Sequence, residues 1–257
     1  MTLEACAAMV ERGDPDRFIA TMAAPLAARA LLWPLYAYNL QVARAPWLTQ
    51  EAMIAEMRLQ WWRDAVAEIA AGGAVRAHEV VGPLAAIIRS RGLPVGLLDG
   101  LAAARRWDIY RAAFADAAEL EAHLQATAGN LMWLAALALG ARPEAEGVVR
   151  DLAFAQGLAT WFRAVPDLEA RGRLPLVDGR GAGVRALAEI GLARLARARA
   201  GRGQVRGASA ALLPGWQAQA LLRQVVADPL VVAEGRMGRS EFSRRGGLLW
   251  QAVTGRF

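Results

Sequence analysis

An all-α fold in a single domain is what this sequence predicts, and three observations predict it. Apolar residues recur at three- and four-residue spacing through most of the chain. Helix-start and helix-stop residues punctuate those stretches in order. No convincing strand hairpin, internal repeat or low-complexity linker interrupts them, so roughly ten helices form one domain over residues 1–257.

The elements follow in order. Thr2 to Glu11 reads as a short helix closed by Gly13. Asp14-Pro15-Asp16 is a helix start, with Asp14 as N-cap and Pro15 at the first helical position, and a helix runs on to about Ala24. Leu26 to Arg44 is helical with a kink expected at Pro34, and its mix of Trp33, Tyr36 and Tyr38 with aliphatics marks it as largely buried. Ala45-Pro46 breaks that pattern.

Gln50 to Ile69 is the stretch the chain is organised around. Met53, Ile54, Met57, Trp61, Ala65 and Ile69 recur as an apolar face, with Thr49 as N-cap and Gly72-Gly73 as the stop. Glu56, Gln60, Arg63, Asp64 and Glu68 share one polar arc of about 140°. Two readings of that arc stay open. Asp64 and Glu68 form the solvated edge of a core helix, or they face a cavity and bind a cation or diphosphate.

Further on, His78 to Arg89 is amphipathic and stops at Gly92, and Leu93-Pro94 restarts helix to about Phe114. Asp116 caps a helix over Leu120 to Leu139. Pro143 opens the next, to Phe162 or beyond, and Pro166 perturbs its end. Arg171 to Pro175 is a turn. Val184 to Arg199 is helical and arginine-rich, Arg202 to Ser209 is a loop, and Ala210 to Val226 and Glu241 to Val253 complete the set.

Composition excludes whole classes. Hydrophobic residues make up 56% of 257, too many for a disordered chain and enough for a large core. The longest apolar run, Leu131 to Leu139, falls far short of the ~20 residues a membrane-spanning helix needs. Glu4 and Glu11 occupy the N-terminal stretch and no basic start precedes them, so no signal peptide is expected. Cys6 is the sole cysteine, which rules out an intrachain disulfide and suits the cytoplasm.

The net charge is +6, and all 30 basic residues are arginine. Arginine suits phosphate, whether on nucleic acid, on a membrane or on a substrate, although a compositional bias toward Arg, Ala and Gly produces the same excess. The run Arg185, Arg194, Arg197, Arg199, Arg202, Arg206 lacks the interleaved aromatics of a single-strand binder, so nucleic acid is not expected as a partner.

The usual chemical signatures are missing. There is no phosphate-binding Gly-rich loop, no G-x-S-x-G and no CxxC. His78 and His123 are too distant in sequence to form an i,i+4 metal pair. Arg29 and Arg163 sit in otherwise apolar helices and need partners, either an ion pair within the bundle or a phosphate.

Several ordered blocks carry a resemblance: LLWPLYAYNLQVAR after Phe18 and Arg29, then MRLQWWRDAV, ATAGNLMWLAALALG and AFAQGLATWFRAVPDLEARGRLPL. Over residues 14–176 the chain resembles the squalene/phytoene synthase family. The resemblance implies an isoprenoid-synthase-like helical bundle with a central apolar cavity. Active members carry two aspartate-rich motifs whose carboxylates hold Mg²⁺, which neutralises the departing diphosphate.

Here the first motif should follow Tyr36-Ala37-Tyr38, and Ala43, Arg44 and Trp47 stand there instead. At the second, Ala164 and Leu168 take the aspartate positions, with Asp167 and Glu169 nearby. Gln156, Arg163, Gly172, Arg173 and Pro175 match the flanking pattern. RLQWWRDA and WFRAVPDLEARGRLP look like the divergent branch that includes the mitochondrial complex I assembly factor and its bacterial relatives.

The resemblance therefore implies a non-catalytic helper with no metal cofactor, with complex I subunits or assembly intermediates as partners, at the cytoplasmic face of the inner membrane. Two alternatives stand beside it: a head-to-head prenyl-diphosphate transferase, which would need Mg²⁺, and a protein holding an isoprenoid or other lipid in its cavity. The candidate cavity residues are Arg29, Tyr36, Arg44, Trp61, Asp64, Glu68, Gln156, Arg163 and Arg173. The C-terminal stretch GRMGRSEFSRRGGLLWQAVTGRF mixes arginines with Phe242, Leu248, Leu249, Trp250 and Phe257; it either packs on the bundle or lies on an anionic membrane.

Overall fold

The structure, a computed structural model, describes residues 2–255. Within them the chain forms fourteen α-helices and no strand. Their order is α1 (Leu3–Gly13), α2 (Pro15–Met22), α3 (Leu26–Arg44), α4 (Ala52–Ala70), α5 (Val81–Arg91), α6 (Val95–Ala104), α7 (Trp107–Tyr110), α8 (Ala117–Leu124), α9 (Asn130–Ala138), α10 (Glu146–Ala170), α11 (Gly181–Ala200), α12 (Ala218–Ala227), α13 (Leu230–Ala233) and α14 (Glu241–Thr254).

Three helices make the centre. α9 is apolar nearly all round and is buried from Asn130 to Ala136, as a helix with no polar face must be. α3 buries a continuous run from Leu32 to Leu40 and packs on α1, α5, α6 and α9. α10 is the longest helix and packs on α9, α11 and α12. Gly157 lets it come close: a Cβ there would sit 2.6 Å from the Ala128 Cβ.

Local signals explain most boundaries. The Asp14 side chain accepts the Arg17 N–H at 2.9 Å, and Pro15 opens α2. Asp116 caps α8 through the Glu119 N–H at 2.9 Å. Gly92 ends α5 in the left-handed region at φ 60°. Both internal prolines are tolerated: α3 runs through Pro34, and α10 continues four residues past Pro166.

Several expectations need correction. The helix expected to run to Phe114 ends at Ala104; α7 adds one turn, and Arg111 then enters the left-handed region at φ 53°. Between α8 and α9, Gln125–Gly129 winds as a π-turn, a local widening that no periodicity signals. Arg202–Gly215 is not a plain loop but 3₁₀ helix with a kink at Ala208. The Thr49 hydroxyl accepts the Glu51 N–H at 3.2 Å, whereas the residue preceding α4 is Glu51 itself.

The largest correction concerns α4. Its buried face is Ala55, Leu59, Trp62, Ala65, Val66 and Ile69, against α6, so the expected stripe holds at Ala65 and Ile69 but not at Met53, Ile54, Met57 and Trp61. Met53 is 75% exposed. The two stripes share the helical period, and the small Ala55 lets the second one approach its neighbour.

Candidate functional site

Two adjoining pockets occupy the region that the family resemblance singles out. A cleft of about 420 Å³ lies between α2, α3, the α8–α9 segment and α10. Its walls are apolar at Leu40, Leu124, Leu131 and Trp161, and charged at Asp14, Arg17, Arg105 and Asp108. This cleft is thus lined by polar as well as apolar groups. A second pocket of about 630 Å³ lies beneath the 3₁₀ turn Ala45–Leu48, the start of α4, α7 and the exit of α10. Trp47, Asp108 and Arg171 border both.

The wall between the pockets is electrostatically unusual. Asp108 is buried beside Arg105, with an oxygen to nitrogen distance of 3.8 Å. Burial pushes its carboxyl up to about 6, against the pull of Arg105 and Arg173. His123 sits in an aromatic box of Trp107, Phe114 and Trp161, with ring centroids 5.7, 5.5 and 5.1 Å away. Burial first, and the Arg105 charge second, hold its imidazole down to about 3. The π-turn places Thr127 and Ala128 on the cleft, and the Thr127 hydroxyl donates to the His123 carbonyl at 2.7 Å.

The family's Mg²⁺ does not fit these residues. Ala43 and Trp47 line the cleft where the first carboxylates would stand, and Ala164 and Leu168 where the second would. Asp14 is already paired with Arg17 at 2.6 Å. Among the described residues no three Asp, Glu, His or Cys side chains converge on a point. A hard cation needs several oxygen ligands, and the three carboxylates that border this cleft, Asp14, Asp108 and Asp167, share it with the guanidiniums of Arg17, Arg105 and Arg171 and do not converge with a third ligand on one point.

The candidate residues scatter. Gln156 lines the cleft and donates to Thr160 at 3.0 Å. Arg173 borders the second pocket. Tyr36 is buried in the core with the Arg17 guanidinium 5.2 Å from its ring centroid. Arg163 lines a third pocket and pairs with Asp16 at 3.0 Å, one of the two expected partners.

The remaining candidates lie away from all three pockets. Arg29 donates to the carbonyls of Ala24 at 2.9 Å and Met22 at 2.7 Å, closing the end of α2 and replacing both expected roles. Arg44 is exposed and reaches to within 2.7 Å of where a Cβ on Gly13 would be, so it does not take the place of a cavity carboxylate. Trp61 is half-buried against Trp62 and His78. Glu68 makes a two-point pair with Arg76 at 2.6 and 2.7 Å, and Asp64 accepts from Gln60 at 2.7 Å. The α4 carboxylates are therefore a surface network, the solvated-edge reading.

Sequence reasoning missed Arg17, Arg105, Asp108 and His123 as a group. They lie on three helices with no common spacing, so only the fold reveals them. Arg105 and Asp108, three residues apart at a helix break, were the one local signal.

Comparison with known proteins bears on the fold and the family. The model of the squalene/phytoene synthase family matches residues 10–244. The complex I assembly factor 6 homolog of Drosophila melanogaster is 30% identical over 178 residues, covering 67% of this chain and 53% of the relative. Complex I assembly factor 6 of Bos taurus is 25% identical over 171 residues, 66% of this chain and 51% of its own length. The chain thus spans about half the length of the curated relatives it matches. Among solved structures, squalene synthase HpnC from Alicyclobacillus acidocaldarius superposes with a TM-score of 0.72 at 17% identity, covering 92% of this chain and 95% of that one. A dehydrosqualene synthase in complex with ligand gives 0.69 at 13% identity, over 98% and 95%. An all-helical isoprenoid-synthase fold and a match across nearly its whole length make this chain a member of the squalene/phytoene synthase family.

Proposed function

We propose that this chain is a non-catalytic member of its family that assists the assembly of respiratory complex I. One observation carries the reading. Ala43, Trp47, Ala164 and Leu168 border the cleft where metal-holding carboxylates would be needed, and the carboxylates that do border it, Asp14, Asp108 and Asp167, are matched by Arg17, Arg105 and Arg171. Without a cation to neutralise a leaving diphosphate, prenyl transfer loses its main driving interaction. The relatives named as complex I assembly factors support the direction of the reading.

Action at the cytoplasmic face of the inner membrane belongs to the same proposal. No helix among the described residues is long and apolar enough to cross a membrane. α14, however, buries only Leu248 and Gln251 and leaves Phe242, Leu249, Trp250 and Val253 exposed. Phe242 is 89% exposed. Phe257 of that same stretch lies outside the described residues. An apolar stripe beside arginines is suited to an anionic headgroup layer.

Two measurements test the reading. Purified protein is given farnesyl and geranylgeranyl diphosphate with Mg²⁺ or Mn²⁺, with and without NADPH, and released diphosphate is followed. No turnover is expected. Sustained release with a coupled C30 or C40 product overturns the non-catalytic reading. Deletion of the gene is expected to lower assembled complex I, and normal complex I in the deletion strain overturns the assembly role. A second reading, storage of an isoprenoid or lipid, is favoured by the open cleft beside Leu40, Leu124 and Leu131. Lipid co-purified with the protein and seen by mass spectrometry supports it.

A further inference from the structure

The pocket at the exit of α10 carries more positive than negative side chains. Arg111, Arg171 and Arg173 all border it. None of the three makes an ion pair among the described residues. Arg171 and Arg173 instead lie 4.7 and 5.1 Å from the centroid of the Trp47 ring. A single indole thus holds two guanidiniums together on one wall. Burial first, and then the charges of Arg111 and Arg171, depress the basicity of Arg173 against the pull of Asp108.

Arg173 is the group that points to a ligand. It is 8% exposed. Its Nη2 donates to the Asp108 carbonyl, but its Nε and Nη1 are buried and have no acceptor. A charged donor without an acceptor is strongly unfavourable in an interior, and an aromatic ring beneath the guanidinium does not satisfy its in-plane N–H groups. Two carboxylates, Glu51 and Asp108, also border the pocket. The three arginines outnumber them.

We propose that Arg111, Arg171 and Arg173 form a metal-free site for the phosphate group of a phosphorylated ligand. Guanidiniums bind phosphate in two-point fashion and need no bridging cation. The site stands whether or not the chain acts in complex I assembly. A pocket of about 630 Å³ that adjoins the apolar-walled cleft has room for a diphosphate, with or without an attached hydrocarbon.

The test is titration calorimetry on the full chain in EDTA, in three arms: inorganic diphosphate, farnesyl diphosphate, and phosphatidylglycerol vesicles. Arg111 and Arg171 are exposed, so the double variant Arg111→Gln/Arg171→Gln should fold. The control is Arg185→Gln/Arg202→Gln, which removes the same charge from exposed positions elsewhere. Saturable binding in any arm, weakened about tenfold or more by the first pair and not by the control, supports the site. The arm that shows it identifies the source as free diphosphate, prenyl diphosphate or lipid headgroup. Binding that both pairs weaken equally, or no binding in any arm, overturns the proposal.

Discussion

His123 provides a quantitative check on the buried wall of the cleft. The imidazole is held neutral by burial among Trp107, Phe114 and Trp161, with its protonation midpoint pushed down to about 3. The unfolded chain protonates histidine near 6.5. A group depressed in this way stabilises the fold fully above the unfolded midpoint and loses that stability as pH falls from about 6.5 toward 3. Between pH 7 and 4.5 linkage gives a loss of about 2.5 kcal/mol.

Asp108 works in the opposite sense. Its carboxyl is pushed up to about 6, so its burial is unfavourable above that value and is relieved as pH falls toward the usual carboxylate range. Over the same interval it returns about 2 kcal/mol. The two nearly cancel, and the native protein alone reports little. The informative quantity is the difference between the native protein and His123→Phe. The Nε2 of His123 has no partner, so the substitution removes no hydrogen bond there.

Urea unfolding at pH 7.0 and 4.5, followed by the helical circular dichroism signal, measures that difference. Tryptophan emission is unsuitable because Trp107 and Trp161 touch the altered side chain. The variant should gain about 2.5 kcal/mol relative to the native protein on going to pH 4.5, with unchanged denaturant slopes. A gap between the two proteins that is equal at both pH values refutes the buried, neutral imidazole.

Other outcomes follow from named contacts. Asp16 accepts from Arg163 and Gln217 at 3.0 Å each, and pairs with Arg244 of α14, so Asp16→Ala should cost about 1–3 kcal/mol and expose α14 to early proteolysis. Gly157→Val should lower stability by about 1–3 kcal/mol in chemical unfolding, because Ala128 occupies the space a Cβ needs. Phe242→Glu/Trp250→Glu changes only exposed positions, so the fold should persist while flotation with phosphatidylglycerol liposomes falls several-fold; unchanged flotation rules out α14 as the contact.

Much of the site's chemistry was legible as absence. Ala43, Trp47, Ala164 and Leu168 could be read directly against the expected aspartates, and the structure places all four on the cleft. What fills the functional role was not legible. Arg105 and Asp108 follow α6 at a break that periodicity ran straight through, and Arg173 stood among the candidate cavity residues without Arg111 and Arg171 beside it. Arg44 stood at a metal-motif position yet turns outward, because the end of α3 directs it over Gly13.

By itself the sequence determined the helical class and most boundaries. Helix periodicity and caps depend on residues within four positions of one another, so a linear reading captures them. Only the tertiary structure decided which residues of α4 are buried, that Glu68 pairs with Arg76, and that Arg171 and Arg173 meet over Trp47 in a pocket that Arg111 also lines. Burial and charge pairing depend on distance in space, and residues as far apart as Trp47 and Arg173 become neighbours only when the bundle closes.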